Sequence, residues 1–465
     1  MKSSAIDPAS LTSAPADNGF ETRWLSGFGG YPRAACRIWT LREPLRELPD
    51  TLPTGPLTPR GLGRSYGDAA LSPSRGLVVD STACDKWLSF DTTRGIMRAQ
   101  AGISLRAMLP RLVSAGWFLP VTPGTQDVTL GGALAANVHG KNHHRSGAIS
   151  GFVERLTVLT EHGEQECGPA LEPELFRATL GGFGATGLIG EATIRLRPIE
   201  TAWIEVRCLR GTNYQEVMAL LDTATEDEEY SIAWIDTSAP RNQLGRGWAF
   251  LGRHVRADEL SSARRANPLK LPAGRAWRVP DWLPGGAANR ATAWAFNAWQ
   301  YHGPRRQRML TPLTAWFYPL DGLGNWNRLY GKRGFVQYQC VLPHDRDSVR
   351  GIGRLVDVLA RAQANSFVAG LKSMSRDLVL LPFGQPGYTF GIDLSRRLRC
   401  LPDLLQQLDH IVLEHGGRVA LAKDARLDPS VFREMYPEFS RWKAVVRRWC
   451  PTSRFRSLLA ERLQW

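Results

Sequence analysis

Hydrophobic positions along this chain recur with two periods. Short runs of strand-forming residues predict strands at Leu77–Asp80 and Leu156–Thr160, and alternation of polar with apolar residues predicts one at Thr193–Arg197, ended by Pro198. A helical period runs from Ser104, a residue suited to capping, to Ala115, and Gly116 stops it. Beyond residue 200 the character changes. Residues 201–250 alternate β-like runs with a helical stretch from Asn213 to Thr223. Gly334 to Pro343 predicts a strong strand and Asp347 to Ala364 an amphipathic helix. Leu378 to Leu394 reads as a strand pair about Gly384–Gly387, and Leu401 to Glu414 as a helix closed by Gly416-Gly417. This order predicts an α+β fold, its second half built on an antiparallel sheet. The tail, 418–465, is basic, helical and too short to fold alone, so it should pack back on an earlier domain.

Composition narrows the classes. The 465 residues, 43% hydrophobic and 22% charged, suit a soluble protein of two or three domains. No run approaches the roughly 18 apolar residues of a membrane span. Residues 1–19 lack the apolar core of a signal peptide and read as a disordered leader, which points to a cytoplasmic protein. Seven scattered cysteines, with no CxxC pair, argue for reduced thiols rather than disulfides or zinc, and no metal is implied. The net charge of +14 is concentrated between Arg253 and Arg308, where arginines alternate with Trp277, Trp282, Trp294 and Trp299. Two readings stay open there: a solvated excursion whose tryptophans pack on the domain beneath, or contact with an anionic membrane or lipid substrate. No nucleic-acid recognition motif accompanies the charge, so nucleic acid is not expected.

Candidate chemistry sits in two glycine-rich segments. Pro59-Arg60-Gly61-Leu62-Gly63-Arg64-Ser65-Tyr66-Gly67-Asp68 can turn its backbone N–H groups into one concavity, as a pyrophosphate requires. An ordinary tight turn would look similar. Thr122-Pro123-Gly124-Thr125 and Val128 to His144 form a longer run of small residues. Such a run makes sense where something large and flat packs on the backbone. A third segment, Gly182-Phe183-Gly184-Ala185-Thr186-Gly187, fits the nicotinamide-dinucleotide fingerprint. That motif needs a helix after it, and Ile189 to Arg197 has a strand pattern, so NAD is not expected.

Arg60 to Asp68, Pro123 to His144 and Gly181 to Gly190 together resemble the FAD domain of the vanillyl-alcohol oxidase family, the FAD-linked oxidases of PCMH type. The resemblance is nearest to the branch that oxidises polyprenyl-phosphoryl ribose. It continues through Pro319-Leu320-Asp321, Trp326-Asn327-Arg328, Gln337-Tyr338-Gln339, Ala422-Lys423-Asp424 and Met435-Tyr436-Pro437. It implies a two-part FAD-binding domain, 20–200 completed by 418–465, under a substrate-binding cap, 201–417. Gly61, Leu62, Gly63, Arg64, Ser65, Tyr66, Gly124, Thr125, Val128, Gly131, Gly132, Ala135 and His139 would line the cofactor, with Gly184 and Ile189 near its adenine end. Arg64 stands where covalent relatives carry a histidine, so the FAD is expected to be non-covalent. Lys141, Trp234, Phe317, Gln337, Gln339, Lys372, Gly391 and Lys423 fall on substrate positions. The chain departs from the pattern at Gly391 (cysteine in some relatives), Phe317 (tyrosine), Ile232 (serine) and Ala420 (tyrosine).

The reaction so implied oxidises the 2′-hydroxyl of a polyprenyl-phosphoryl-β-D-ribose to the 2′-keto sugar, the first half of epimerisation to arabinose. Lys423, in the apolar context Val419-Ala420-Leu421-Ala422, is the expected base or orienter of the hydroxyl, with His139 and Tyr66 beside it. By sequence alone a lysine paired with Asp424 on a surface turn would be the favoured reading, and the resemblance reverses that order. The expected partners are a lipid-linked sugar phosphate, an NAD(P)-dependent short-chain reductase and a quinone or other electron acceptor. The expected location is cytoplasmic, peripheral on the inner membrane. Rival readings are an aldonolactone or alditol oxidase of soluble sugars, and a non-catalytic or nucleic-acid-binding protein on an inherited fold.

Overall fold

A computed structural model describes residues 20–272, 277–280, 286–344 and 347–465. The leader 1–19 and Trp282 fall outside them. The chain forms a mixed α+β structure around three main sheets. The first is four-stranded, in the spatial order Glu21–Ser26, Arg33–Thr40, Leu77–Asp80 and Leu57–Arg60, its last three strands parallel. The second is five-stranded and antiparallel, in the order Trp87–Asp91, Ile96–Gln100, Leu188–Arg195, Val153–Thr160 and Gly163–Cys167. The helix Leu105–Ser114 buries Leu105, Met108, Leu109, Leu112 and Val113 as its spacing required, and the Ser104 hydroxyl caps it through Ala107 N–H.

The third sheet is an eight-stranded antiparallel one. Its order is Arg308–Pro312, Trp203–Gly211, Gly247–His254, Tyr230–Ile235, Ala369–Met374, Gly387–Ser395, Phe335–Pro343 and Arg418–Val419. Helices Tyr214–Leu221, Ser348–Arg361 and Leu401–Glu414 pack against it and against one another. Alternation along the strands decides which residues meet the helices. Tyr338, Cys340, Phe390 and Ile392 are buried on one face, while Gln337, Gln339, Thr389, Gly391, Asp393 and Lys372 share the other.

One expected strand pair is corrected. Residues 378–386 form no strand, and the strand paired with Gly387–Ser395 is Ala369–Met374 instead. The apolar run Leu378-Val379-Leu380-Leu381 imitates a strand. Its backbone crosses to the five-stranded half, where Leu380 N–H donates to the Arg177 carbonyl at 3.0 Å. The glycine fingerprint at 182–187 leads into the strand Leu188–Arg195, as its pattern indicated, and not into a helix.

The tail does return to the first sheet. Leu57 N–H donates to the Arg454 carbonyl at 2.7 Å and Arg456 N–H to the Leu57 carbonyl at 2.9 Å. Arg462 bridges the buried carboxylates Asp68 and Asp424 at 2.8 and 2.9 Å. The fully buried Trp442 donates its indole N–H to the Ala178 carbonyl. One continuous hydrophobic core therefore runs from Ala69 to Leu463 across both halves of the chain.

In the basic excursion, Trp277, Trp294 and Trp299 are 76%, 58% and 68% exposed, so they do not pack on the domain beneath. Six of the seven cysteines are buried, Cys400 is exposed, and all are free thiols.

Candidate active site

The three glycine-rich segments converge because each is tied to the next. The first glycine loop leaves the strand Leu57–Arg60 and passes close to Thr129: a Cβ on Gly61 would lie 2.1 Å from its hydroxyl oxygen. That same hydroxyl accepts from Gly132 N–H at 3.1 Å and starts the helix Leu130–Ala135. The third segment hangs on this helix, with Gly181 N–H donating to the Leu134 carbonyl and Phe183 N–H to the Ala135 carbonyl.

Together they wall a cavity of about 830 Å³. Gly61, Leu62, Gly63, Arg64, Ser65 and Tyr66 line it from the first segment. Gly124, Thr125, Val128, Gly131, Gly132, Ala135 and His139 do so from the second, and Gly184 and Ile189 from the third. A turn at 318–327 closes another side. The Tyr318 hydroxyl meets that of Thr122 at 2.7 Å, and Asp321 accepts from Gln126 N–H at 2.9 Å.

One end of the cavity is polar. Gln337, Gln339, Lys372 and Lys423 reach it together with Tyr66 and His139. Lys423 is delivered by the returning tail. Val419 pairs with Cys340, Ala420 N–H donates to the Gln339 carbonyl at 2.8 Å, and Tyr66 N–H donates to the Ala422 carbonyl at 3.0 Å. The Lys423 ammonium nitrogen then sits 3.9 Å from the centre of the Tyr66 ring, a cation–π contact. Asp424 is not its ion-pair partner, being held by Arg462.

Burial sets the charges. Desolvation lowers Lys423 to about 8, although Asp393 pulls it back up. Lys372 falls to about 7 through desolvation and then the Lys423 charge. His139 is held well below its ordinary value by desolvation, then by Lys372, His143 and Lys423. Asp393 rises to about 7 by desolvation. Groups that can gain or lose a proton near neutrality therefore surround one end of the cavity.

Four expected substrate residues stand outside the lining. Lys141 folds over Trp316, 3.9 Å from its ring centre, and donates to its carbonyl. Phe317 is buried between Phe118 and Tyr230, with ring centroids 4.9 Å from each. Gly391 lies in register with Gln339 but presents no side chain. Trp234 continues the same row beyond Gly370, three strands from Gln339, and donates its indole N–H to the Phe367 carbonyl.

The sequence reading missed Thr389 and Asp393. Their signal was present: in Tyr388-Thr389-Phe390-Gly391-Ile392-Asp393 the non-aromatic, non-aliphatic positions are two apart, on the face that carries Gln337 and Gln339. Asn137 and Asp377, which line the cavity itself, were not expected either.

The lining carries donors suited to a flavin dinucleotide. Among the described residues Arg64 Nε and Asn137 Nδ2 are buried in the lining with no hydrogen-bond partner. Buried donors of this kind call for acceptor oxygens, which the phosphates, ribityl chain and ring carbonyls of FAD carry. The glycine walls leave backbone in reach of it, so the residues fit.

A model of the FAD-binding domain matches residues 54–168, the stretch that supplies the first two glycine segments. The protein is thus an FAD-dependent oxidoreductase. The chain is 35% identical over 412 residues to the decaprenylphosphoryl-β-D-ribose oxidase of Mycolicibacterium smegmatis, covering 87% of this chain and 88% of that one. An uncharacterised Streptomyces coelicolor protein is 31% identical over 381 residues, 78% of this chain and all of the relative. A putative D-arabinono-1,4-lactone oxidase of Neurospora crassa is 30% identical over only 149 residues, 32% of this chain and 26% of the relative. The chain belongs to the decaprenylphosphoryl-β-D-ribose oxidase family.

The interlock at Gly61 gives a direct test. Gly61→Val should displace the Thr129 hydroxyl and strip most of the flavin, read as visible flavin absorbance relative to protein, in a chain whose circular dichroism is unchanged. Acid precipitation of the parent protein should release its FAD to the supernatant. A yellow Gly61→Val protein with parental flavin content would contradict the interlock.

Proposed function

We propose that the protein oxidises the 2′-hydroxyl of a polyprenyl-phosphoryl-β-D-ribose to the 2′-keto sugar. The carrying observation is the convergence of Lys423, Tyr66, Lys372, His139, Gln337 and Gln339 at one end of an FAD cavity, in a chain similar over most of its length to a decaprenylphosphoryl-β-D-ribose oxidase. In this reading residues 20–200 with 418–465 hold FAD through the three glycine segments, and 201–417 form the cap. When bound, the flavin supplies a hydride acceptor for the carbinol carbon.

The chain's own residues do the rest. Lys423 Nζ, desolvated and near neutrality, takes the hydroxyl proton as the carbonyl forms. Tyr66 holds the lysine through its ring face, and Gln337 and Gln339 orient the neighbouring hydroxyls. The keto product then needs a separate reductase, expected to use NAD(P)H, and the reduced flavin an acceptor such as a quinone. The match to a lactone oxidase covers 32% of this chain and 26% of that relative, too little to carry its substrate over.

Membrane contact extends the reading. The exposed tryptophans Trp294 and Trp299 lie on the helix Arg290–His302, and Trp277 pairs beside Leu323, a residue of the cavity's lining. Arginine and tryptophan at a cavity mouth suit an anionic headgroup layer from which a lipid-linked substrate emerges. No described helix is long and apolar enough to cross a membrane, so the contact would be peripheral.

Two outcomes follow. Lys423→Met should slow substrate-driven flavin reduction by about a hundredfold or more in anaerobic stopped flow. Reduction at the parental rate would remove Lys423 from the chemistry. The protein should sediment with anionic liposomes at low salt and release as salt rises, with weaker sedimentation for Trp294→Ala/Trp299→Ala. A protein that stays in the supernatant at low salt would refute membrane contact.

A further inference from the structure

We infer that Thr389 is a positioning residue that fixes the direction of a hydrogen-bond relay through Gln339 and His139, so that His139 carries its proton on Nδ1 and presents it to Lys372 as an unprotonated amine. The relay has four links. The Thr389 hydroxyl donates to the Cys340 carbonyl at 2.8 Å. The Gln339 amide nitrogen lies 3.2 Å from the Thr389 oxygen and 3.1 Å from His139 Nε2. His139 Nδ1 lies 3.0 Å from Lys372 Nζ.

The order of donors follows from the first link. A hydroxyl has one proton, and a carbonyl can only accept. With its proton on Cys340, Thr389 can offer Gln339 only lone pairs, so it must face the amide's NH₂ and not its oxygen. Thr389 and Gln339 are 1% and 8% exposed, and reversing the amide would leave two buried oxygens facing each other. The second proton of the NH₂ group then points at His139 Nε2, which must accept. A neutral imidazole that accepts at Nε2 donates at Nδ1. Lys372 receives that bond, which an ammonium cannot do.

The electrostatics agree. Desolvation does most to disfavour an imidazolium at His139, and the Lys423 charge from the tail adds to it. At Lys372 burial, and then the Lys423 charge, disfavour an ammonium. His143 is engaged elsewhere, with Nε2 on Asp377 and Nδ1 accepting from Ser375 N–H.

Two consequences bear on the reaction, and these rest on the function proposed above. His139 has no free site for a proton, so it orients and does not act as the base. A neutral Lys372 keeps N–H donors for a substrate oxygen without placing a second cation beside Lys423.

The test needs no substrate. Histidine ring ¹⁵N resonances of the FAD-loaded protein, near neutral pH, report tautomers directly, and His139→Gln assigns the relevant one among nine histidines. The parent protein should show His139 protonated at Nδ1. Thr389→Val, which removes the hydroxyl and frees the amide to turn, should move the proton to Nε2, and Thr389→Ser should restore it. An Nε2–H or doubly protonated His139 in the parent protein would overturn the inference, as would an unchanged tautomer in Thr389→Val. Since the parent spectrum alone can decide, a variant that folds poorly does not blunt the test. A ribose substrate that failed to reduce the flavin would count against the function and leave the relay standing.

Discussion

Residues 418–427 touch both halves of the site, and its geometry depends on them. On one side their backbone extends the eight-stranded sheet, through Val419 opposite Cys340 and Ala420 N–H on the Gln339 carbonyl. On the other side Ala422 accepts from Tyr66 N–H, and the Asp424 carbonyl lies where a Cβ on Gly67 would be, 1.6 Å away. No side chain but glycine's admits that approach. Arg462 completes the junction by neutralising Asp68 of the glycine loop and Asp424 of the tail together. Buried carboxylates in such a place are tolerable only when paired, which makes the last turn of the chain part of the active site's foundation.

This foundation explains the charge pattern above it. Lys423 reaches the cavity from the turn that joins the two halves and lies against an aromatic face in a dry setting, so burial lowers its amine toward neutrality, with no carboxylate among the described residues in ion-pair contact with it. Lys372 is brought to the same end by a different element, the eight-stranded sheet, whose polar face is set by the two-residue period of its strands, and there it meets His139 of the second glycine segment. A site assembled from a glycine loop, a sheet face and a returning tail can adjust its substrate at the sheet without disturbing the cofactor walls. Of the departures at Gly391, Phe317, Ile232 and Ala420, the first three lie in or beside the eight-stranded sheet away from the lining, and only Ala420 borders the cavity.

Much of this was legible in the sequence, and the reasons are local. The helices Leu105–Ser114 and Leu401–Glu414 have strong apolar stripes and clear stops, so their burial could be read directly. The glycine segments announce themselves because few other roles use so many small residues in succession. The strand Ala369–Met374 escaped because Ala-Gly-Leu-Lys-Ser-Met has no marked alternation, and the neighbouring Leu378–Leu381 run looked more like a strand than it did. Side-chain direction was the other blind spot. Lys141 lies two residues from His139, yet turns onto Trp316, and Phe317 completes an aromatic core. Neither outcome follows from residue type or spacing, since each is decided by partners far away in the chain.

The central claim is that this cavity holds FAD for oxidation of a lipid-linked ribose, and the visible spectrum tests it most directly. Purified holoprotein would be titrated without oxygen with a short-chain prenyl-phosphoryl ribose, and separately with free ribose and an aldonolactone. The account predicts loss of the flavin band with the prenyl-phosphoryl sugar at concentrations where the soluble sugars leave it intact. A band bleached by the soluble sugars and untouched by the prenyl-phosphoryl ribose would contradict it.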